Sequence, residues 1–460
     1  MYKDKIFAVE ILDLTDDGAG IGRIEPGGLA VFTCGALPGD ICDVKIKKIG
    51  KNYAYGELVG ITAPSPDRIR PVCRVFKKCG GCALLPLSYE AQLKLKHKIV
   101  KDRLERIGGV KNVRVDEIIG MDYPYKYRNK AQFPVKKNRR NPDLTDIGFY
   151  SRRTHDVVNI PSCAVFCGAD EKVIRVFRDY FKRNKNKTGI VYDEASHRGM
   201  IRHIFIRAGA ASGELMIGIA ANLKQGESLP DSARLTEELR KIPGVKSVVL
   251  NINTDKTNVI LGKKNKILYG RDHIFDYIAD KKFKISLNSF YQVNPTQTEK
   301  LYAEALKFAQ ADKNWVCIDA YCGIGTIALM FASEVKKIYG IETSGQAILD
   351  ARENAELNNI KNAEFIEGKS EEVIRELVNR ENIDLLIVDP PRKGCDIKFI
   401  ETVVSAGIKK MIYISCEPAT LARDIRMLCE NGYILDRALP VDMFPHTLHI
   451  ETVVLLRYPR

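Results

Sequence analysis

The 460-residue sequence predicts an α/β protein in three parts: a small β-barrel, an α/β central part and a Rossmann-like C-terminal part. Three observations predict it. Residues 1–62 alternate short β-like runs with glycine-rich turns, the layout of a small barrel. Residues 141–285 alternate strand-like runs with helical ones. From residue 286 onward, apolar β-prone runs end in polar or acidic residues and are separated by helical stretches. That is the pattern of a parallel sheet buried on both faces. The expected boundaries are therefore 1–62, 63–285 and 286–460.

Composition narrows the function. Hydrophobic content of 45% is enough for packed cores, so a disordered chain is excluded. No apolar run is long enough to span a bilayer, and MYKDKIFAVEILD lacks a signal-peptide layout. The expectation is a cytoplasmic protein with no membrane partner. There its 12 cysteines are more readily reduced, metal-bound or catalytic than paired in disulfides. The net charge of +14 is uneven: residues 312–460 hold 18 Lys and Arg against 23 Asp and Glu, whereas residues 63–140 hold 20 against 7. A concentrated basic surplus points to a polyanion partner, with a solvated basic face as the alternative.

In chain order, the first segment runs FAVEILDL, DDGAGIGRI, GGLAVFTCGALPGD, ICDVKIKKIG and KNYAYGELVGI. Lys45, Lys47 and Lys48 alternate with apolar residues, which gives one cationic face, and Lys51 follows. In GALPGD and YAYGEL the segment resembles a TRAM domain, an OB-like RNA-binding barrel. APSPDRIRPV (63–72) reads as a linker.

Cys73, Cys79 and Cys82 then fall within ten residues, with Gly80 and Gly81 allowing a tight bend. By spacing alone, zinc and an iron–sulfur cluster are both open, and each needs a fourth ligand from elsewhere. The run CGGCALLPLSYEAQLKLK resembles the iron–sulfur segment of bacterial uracil-C5 RNA methyltransferases. That resemblance implies a [4Fe–4S] cluster whose fourth ligand is Cys163, in Ile160-Pro-Ser-Cys163, with Cys167 as a rival. Residues 88–107 have helical apolar spacing, stopped by Gly108-Gly109. Tyr123 to Lys130 (YPYKYRNK) interleaves aromatic and basic residues that can stack bases and neutralise phosphates; an aromatic strand with a wet face reads equally well. It resembles the family's YRNKAQ stretch, which makes Arg128 and Lys130 RNA-contact candidates. KKNRR (136–140) reads as a hairpin tip, and His197, His203 and His273 are scattered.

Chemistry concentrates in the C-terminal part. WVCIDAYCGIGT (315–326) is a strand running into a glycine turn and a helix; Gly323 and Gly325 permit close approach to a ligand. The next strand, KKIYGIE, ends in Glu342, placed to accept hydrogen bonds from two ribose hydroxyls. This suits an adenosine-containing cofactor without separating NAD from S-adenosylmethionine. KKMIYISCEP (409–418) is a buried strand with Cys416 at its carboxyl end. A cysteine there is a candidate nucleophile, although a lone cysteine is more often a buried small hydrophobe. Asp389-Pro390-Pro391-Arg392 ends another strand, Ser289-Phe290-Tyr291-Gln292-Val293-Asn294 opens this part, and His449-Ile450-Glu451-Thr452 nearly closes it.

This ordered set resembles the uracil-C5 RNA methyltransferase family over nearly the whole chain. The resemblance implies a Rossmann-like S-adenosylmethionine-dependent methyltransferase domain. It implies Gln292, Tyr321, Thr326, Glu342 and Asp389 around the cofactor, Cys416 as nucleophile and Glu451 as base. Two positions depart from the family pattern: Glu417 stands where Asn is usual, and Gly368-Lys369-Ser370 lacks an acidic residue that often lies near the adenine.

The residue types match what the reaction requires. C5 of uracil is a poor nucleophile toward a sulfonium methyl. Thiolate addition at C6 turns the ring into an enolate with electron density at C5, and a carboxylate can later remove the C5 proton. The target base must leave its stack to be reached. The N-terminal barrel and the cysteine triad place the chain, on family grounds, in the branch acting on 23S ribosomal RNA, as a monomer. A transfer-RNA uridine methyltransferase, a radical iron–sulfur enzyme and a non-catalytic RNA-binding protein are the competing readings.

Overall fold

The computed structural model describes residues 3–25, 28–152 and 154–459. They form two compact units. The first comprises Met1–Lys96, Ser151–Thr154 and Phe444–Leu448; the second comprises His97–Tyr150, His155–Met443 and His449–Arg460.

The first unit contains a closed barrel of β1 (Ile6–Leu14), β2 (Ala19–Ile24), β3 (Leu29–Cys34), β4 (Ile41–Ile49) and β5 (Tyr53–Ala63), in the order β1-β2-β3-β5-β4. Alternation explains it: Val9, Ile11, Val31, Val44, Ile46 and Ala54 point inward and form one core. Beside the barrel, Asp40 is fully buried because Arg68 pairs with it and the Leu37 and Ser65 amides donate to it at 2.7 and 2.9 Å. These contacts hold its carboxyl below the ordinary value even though burial pushes the other way. Helix α1 (Tyr89–Arg106) follows the barrel in sequence.

The second unit holds two seven-stranded sheets. One contains β6 (Lys130–Lys137), β7 (Thr145–Tyr150), β8 (Val157–Asn159), β9 (Ile201–Ala208), β10 (Leu215–Ala221), β11 (Val245–Ile252) and β12 (Lys264–Gly270), in the order β12-β11-β10-β9-β6-β7-β8. Helices α2 (Asp170–Arg183) and α3 (Ser232–Arg240) belong to this region. A hairpin, β13 (His273–Ile278) and β14 (Lys281–Ser286), follows.

The other sheet has β15 (Val316–Ala320), β16 (Lys337–Glu342), β17 (Ala363–Glu367), β18 (Leu385–Val388), β19 (Lys410–Ser415), β20 (Ile434–Val441) and β21 (Glu451–Arg457). Its order is β17-β16-β15-β18-β19-β21-β20; the first five are parallel, and β21 runs antiparallel to both its neighbours. Helices α4 (Pro295–Ala309), α5 (Thr326–Phe331), α6 (Gly345–Leu357), α7 (Ser370–Val378), α8 (Ile397–Ala406) and α9 (Pro418–Glu430) accompany it. The strands are short and apolar because they are buried on both faces: Ile318, Ile341, Leu386, Tyr413 and Val454 share one core. Strand order reverses between β15 and β18, and in open sheets ligands bind beyond the strands' carboxyl ends at such a switch. No helix among the described residues is long and apolar enough to cross a membrane.

Candidate active site

The expected nucleophile lies where the strand pattern put it. β19 ends at Ser415, Cys416 follows, and Pro418 opens α9. Ser415 pairs with Thr452 on the antiparallel β21, so Cys416 and Glu451 each lie one residue beyond that rung. β18, the other neighbour of β19, ends at Val388 and delivers Asp389 to the same edge. Gln292 comes from the segment between β14 and α4, and its Nε2 donates to Asp389 Oδ2 at 3.5 Å. That segment is held firmly: Asn129 Nδ2 donates to the Gln292 carbonyl at 3.0 Å, and Asn294 caps α4 and donates to the Met443 carbonyl at 3.0 Å.

On the other side of the switch, Tyr321 follows β15 with φ +67°, a conformation that an aromatic residue rarely adopts. The chain then turns through Gly323 and Gly325 into α5. At Gly325 the φ of +83° calls for glycine; at Gly323 a Cβ would meet nothing within 4 Å, so the turn faces open space. Asp319 accepts from the Ala328 amide at 2.9 Å through Oδ2, while Oδ1 is buried without a hydrogen-bond partner. Thr326 Oγ1 lies 3.1 Å from the Tyr302 hydroxyl, which also bonds Gln292. Tyr302, on α4, thus links two expected cofactor residues, and the sequence reading did not single it out. Glu342, at the end of β16, accepts from the Ser344 amide and the Thr343 hydroxyl at 3.0 and 3.1 Å, both through Oε1. The structure therefore brings Gln292, Tyr321, Thr326, Glu342, Asp389, Cys416 and Glu451 to one edge of one sheet.

The electrostatics are severe. Burial, then the Glu451 and Asp389 charges, push the Cys416 thiol up to about 12, and Arg392 opposes them. Glu451 is 3% exposed; burial and Asp389 hold its carboxyl far above the usual range, again opposed by Arg392. Burial also raises Asp389. The two carboxylates titrate together, and the pair retains a proton that isolated carboxylates would have lost. The carboxylates that weigh most on Cys416 are thus Glu451 and Asp389, rather than its sequence neighbour Glu417. Glu417 is the N-cap residue of α9, and its amide bonds the Ser415 hydroxyl.

Arg392 was not singled out by sequence, although it stands in the Asp-Pro-Pro-Arg run. Its Nη2 lies 3.5 Å from His449 Nε2. Helix α9 fixes this loop through three side chains. Thr420 donates to the Arg392 carbonyl at 3.0 Å, Arg423 to the Lys393 carbonyl at 3.0 Å, and Asp424 accepts from the Cys395 amide at 2.7 Å. At Gly394 (φ +77°) a Cβ would fall 2.5 Å from Asp424 Oδ2, so the clamp closes only over glycine.

Arg128 precedes β6, and Lys130 opens it. Burial, Arg207 and Arg128 bring Lys130 down to about 7, and its ammonium lies 5.4 Å from the Phe205 ring centre. In the first unit, Gly81 N–H donates to the Cys79 sulfur. Among the described residues, no group of three or more His, Cys, Asp and Glu side chains gathers as a metal-ligand set. The four-cysteine centre expected at Cys73, Cys79, Cys82 and Cys163 is therefore not shown among the described residues.

Fold and site define an α/β enzyme with a nucleotide-type crevice and a cysteine set against buried carboxylates, joined to a closed barrel. Comparison with known proteins assigns the family. The description tRNA (Uracil-5-)-methyltransferase matches residues 245–458, and TRAM domain matches residues 2–59. An RNA methyltransferase of Bacillus cereus is 44% identical over 457 residues, covering 99% of this chain and 97% of the relative. One from Clostridium tetani is 41% identical over 458 residues, with the same coverage of each chain. The crystal structure of the Pyrococcus abyssi tRNA (uracil-54, C5)-methyltransferase in complex with S-adenosyl-L-homocysteine is similar with a TM-score of 0.76. It is 26% identical, covering 98% of this chain and 99% of that one. The chain belongs to the RNA methyltransferases of the uracil-5 family that carry a TRAM domain. It is an S-adenosylmethionine-dependent enzyme, and the open turn at Gly323 with the partnerless Asp319 Oδ1 fits a bound adenosine cofactor.

Proposed function

We propose that this protein methylates C5 of a uridine in 23S ribosomal RNA, as a monomeric cytoplasmic enzyme, with Cys416 as covalent nucleophile and Glu451 as base. The observation that carries the chemistry is the meeting of four side chains at one edge of the sheet: Asp389 and Cys416 just beyond the carboxyl ends of β18 and β19, Glu451 at the start of the antiparallel β21, and Gln292 from the segment before α4. S-adenosylmethionine supplies the methyl group. Gln292, Tyr321, Thr326, Glu342 and Asp389 bind and orient it.

Cys416 loses its proton and its sulfur bonds C6 of the uracil, which raises electron density at C5. Once C5 is methylated, Glu451 accepts the C5 proton; the pair of electrons freed re-forms the C5–C6 double bond and expels the Cys416 thiolate. Burial suits this base, since a carboxyl group whose proton affinity is raised takes a carbon-bound proton more readily. Before RNA binds, the same burial keeps Cys416 a thiol, so the bound base must assist its ionisation.

The resemblance that assigns the reaction also assigns a [4Fe–4S] cluster to Cys73, Cys79, Cys82 and Cys163, in a structural or RNA-positioning role. Anaerobic purification followed by iron and acid-labile sulfide analysis tests that assignment; zinc, or no metal, overturns it.

Two variants test the mechanism. Cys416→Ala is expected to abolish both methylation and any denaturation-resistant RNA adduct, and retained turnover would remove Cys416 from the role. Glu451→Gln is expected to accumulate a methylated protein–RNA adduct detectable by mass spectrometry; normal product release would assign the proton to another base. Mapping 5-methyluridine in ribosomal and transfer RNA from a deletion strain decides the substrate, with a site lost from transfer RNA alone overturning the ribosomal assignment.

A further inference from the structure

The barrel carries a feature that the methyl-transfer chemistry does not use. Phe32, Tyr53 and Tyr55 form a closed aromatic triad, with ring centres 5.8 Å (Phe32–Tyr53), 5.7 Å (Phe32–Tyr55) and 5.6 Å (Tyr53–Tyr55) apart. They lie on the outer face. Strand alternation sends Val31, Thr33 and Ala54 inward and these three outward, and Tyr53 and Tyr55 are 41% and 42% exposed. Large rings clustered on a solvated sheet face gain little from folding, because the apolar area they would bury remains wet.

Their neighbours have a definite chemistry. Register across β2, β3 and β5 sets Arg23 beside Ala30 and Ala30 beside Tyr53; the next row runs Ile21, Phe32, Tyr55 and then Lys48 on β4. Each exposed tyrosine therefore shares its row with a cation, and neither Arg23 nor Lys48 pairs with a carboxylate among the described residues. Glu57, the acid nearest along β5, is taken by Lys47 at 2.8 Å. The small Ala30 between Arg23 and Tyr53 leaves the row low at that point.

We propose that this face is a stacking platform for unpaired bases of the RNA substrate, with Tyr53 and Tyr55 as the stacking surfaces, Phe32 buttressing both rings, and Arg23 and Lys48 placed for the flanking phosphates. Rings stack on any base, and cations beside them track the backbone, which is the combination by which barrels of this size hold single strands. A protein partner would instead call for carboxylates matched to cations on both surfaces, and a double helix offers no exposed base faces for the rings. The proposal rests on RNA being the substrate.

The test uses the full-length protein and a fluorescein-labelled oligouridylate of about 12 nucleotides, within the span of one OB-type barrel. Fluorescence anisotropy is read over a range of salt concentrations. The Tyr53→Leu/Tyr55→Leu variant is expected to weaken binding roughly tenfold or more, with the slope of log affinity against log salt unchanged, because stacking releases no counterions. Tyr53→Phe/Tyr55→Phe keeps the rings and is expected to bind like the wild type. Arg23→Gln/Lys48→Gln is expected to flatten the salt slope. The platform is overturned if the leucine variant binds as the wild type does, or if the phenylalanine variant is as weak as the leucine one. A wild-type protein that binds neither this probe nor ribosomal RNA overturns the RNA reading itself, and the platform with it.

Discussion

As the proposed nucleophile, Cys416 would meet two opposed demands, and its surroundings bear on both. A nucleophile must ionise, yet burial and two carboxylates hold this thiol near 12, against about 8.5 for a free cysteine. So high a value leaves very little thiolate at neutral pH in the RNA-free enzyme, and slow oxidation and alkylation of this cysteine are expected until substrate arrives. Below its pKa, a thiol's thiolate fraction rises about tenfold for each pH unit. Alkylation of the Cys416 peptide by iodoacetamide, followed by mass spectrometry, is expected to climb at that rate from pH 7 to pH 10 without levelling off. A plateau near pH 9 would mean that the carboxylates are turned away. Arg392→Gln removes the cation that opposes them and is expected to slow the alkylation further at every pH.

At the scale of elements, the site depends on what packs behind the strands. Asp424 on α9 is fully buried; it accepts from the Tyr413 hydroxyl at 2.7 Å and from the Cys395 amide at 2.7 Å, and it pairs with Arg423. Tyr413 lies on β19, the strand that Cys416 follows, so one carboxylate ties that strand to the loop that carries Arg392. Asp424→Ala leaves a buried hydroxyl and amide unpaired and is expected to lower stability by about 3 kcal/mol. Chemical denaturation measures that loss. A raised KM for RNA in the surviving folded fraction would show the loop loosened; an unchanged KM would make the clamp purely structural. None of this was legible in the sequence, because neighbouring opposite charges on a helix carry the same local pattern whether they face solvent or hold a buried loop. What was legible is the set of strand ends, because an apolar β-prone run marks a strand buried on both faces: Glu342 closes β16, and Asp389 and Cys416 come directly after β18 and β19. Tyr302 was missed for the opposite reason: on an amphipathic helix a buried tyrosine carries the same pattern whether its hydroxyl meets a site or only the core.

At the scale of the whole molecule, the barrel and the C-terminal sheet were the parts most readily foreseen, since both rest on local alternation and on glycine turns. The central region was foreseen only as alternating strands and helices. Its sheet order, with β6 paired to the distant β9, depends on contacts that no local pattern encodes. The same long-range packing buries three carboxylates at the candidate site: Asp319, Asp389 and Glu451 are each raised, with burial the leading cause. Their effect on stability has a definite sign. A carboxyl group whose folded pKa lies above its unfolded value, about 3.9 for Asp and 4.3 for Glu, stabilises the fold fully below the unfolded value. That contribution is lost as pH rises toward and through the folded pKa, at roughly 1.4 kcal/mol per unit for each group. The protein is therefore expected to lose stability between about pH 4 and pH 7, the range from the unfolded values to the value near 7 to which Asp389 is raised. Glu451→Gln keeps the shape and removes one ionisation, so its melting temperature is expected to exceed the wild type's by a few degrees at pH 8 and by clearly less at pH 5. Thermal melts of both proteins at the two pH values decide it. A gain equal at both would mean that the Glu451 carboxylate is already neutralised by a partner, and that its burial does not cost stability in the way the buried pair implies.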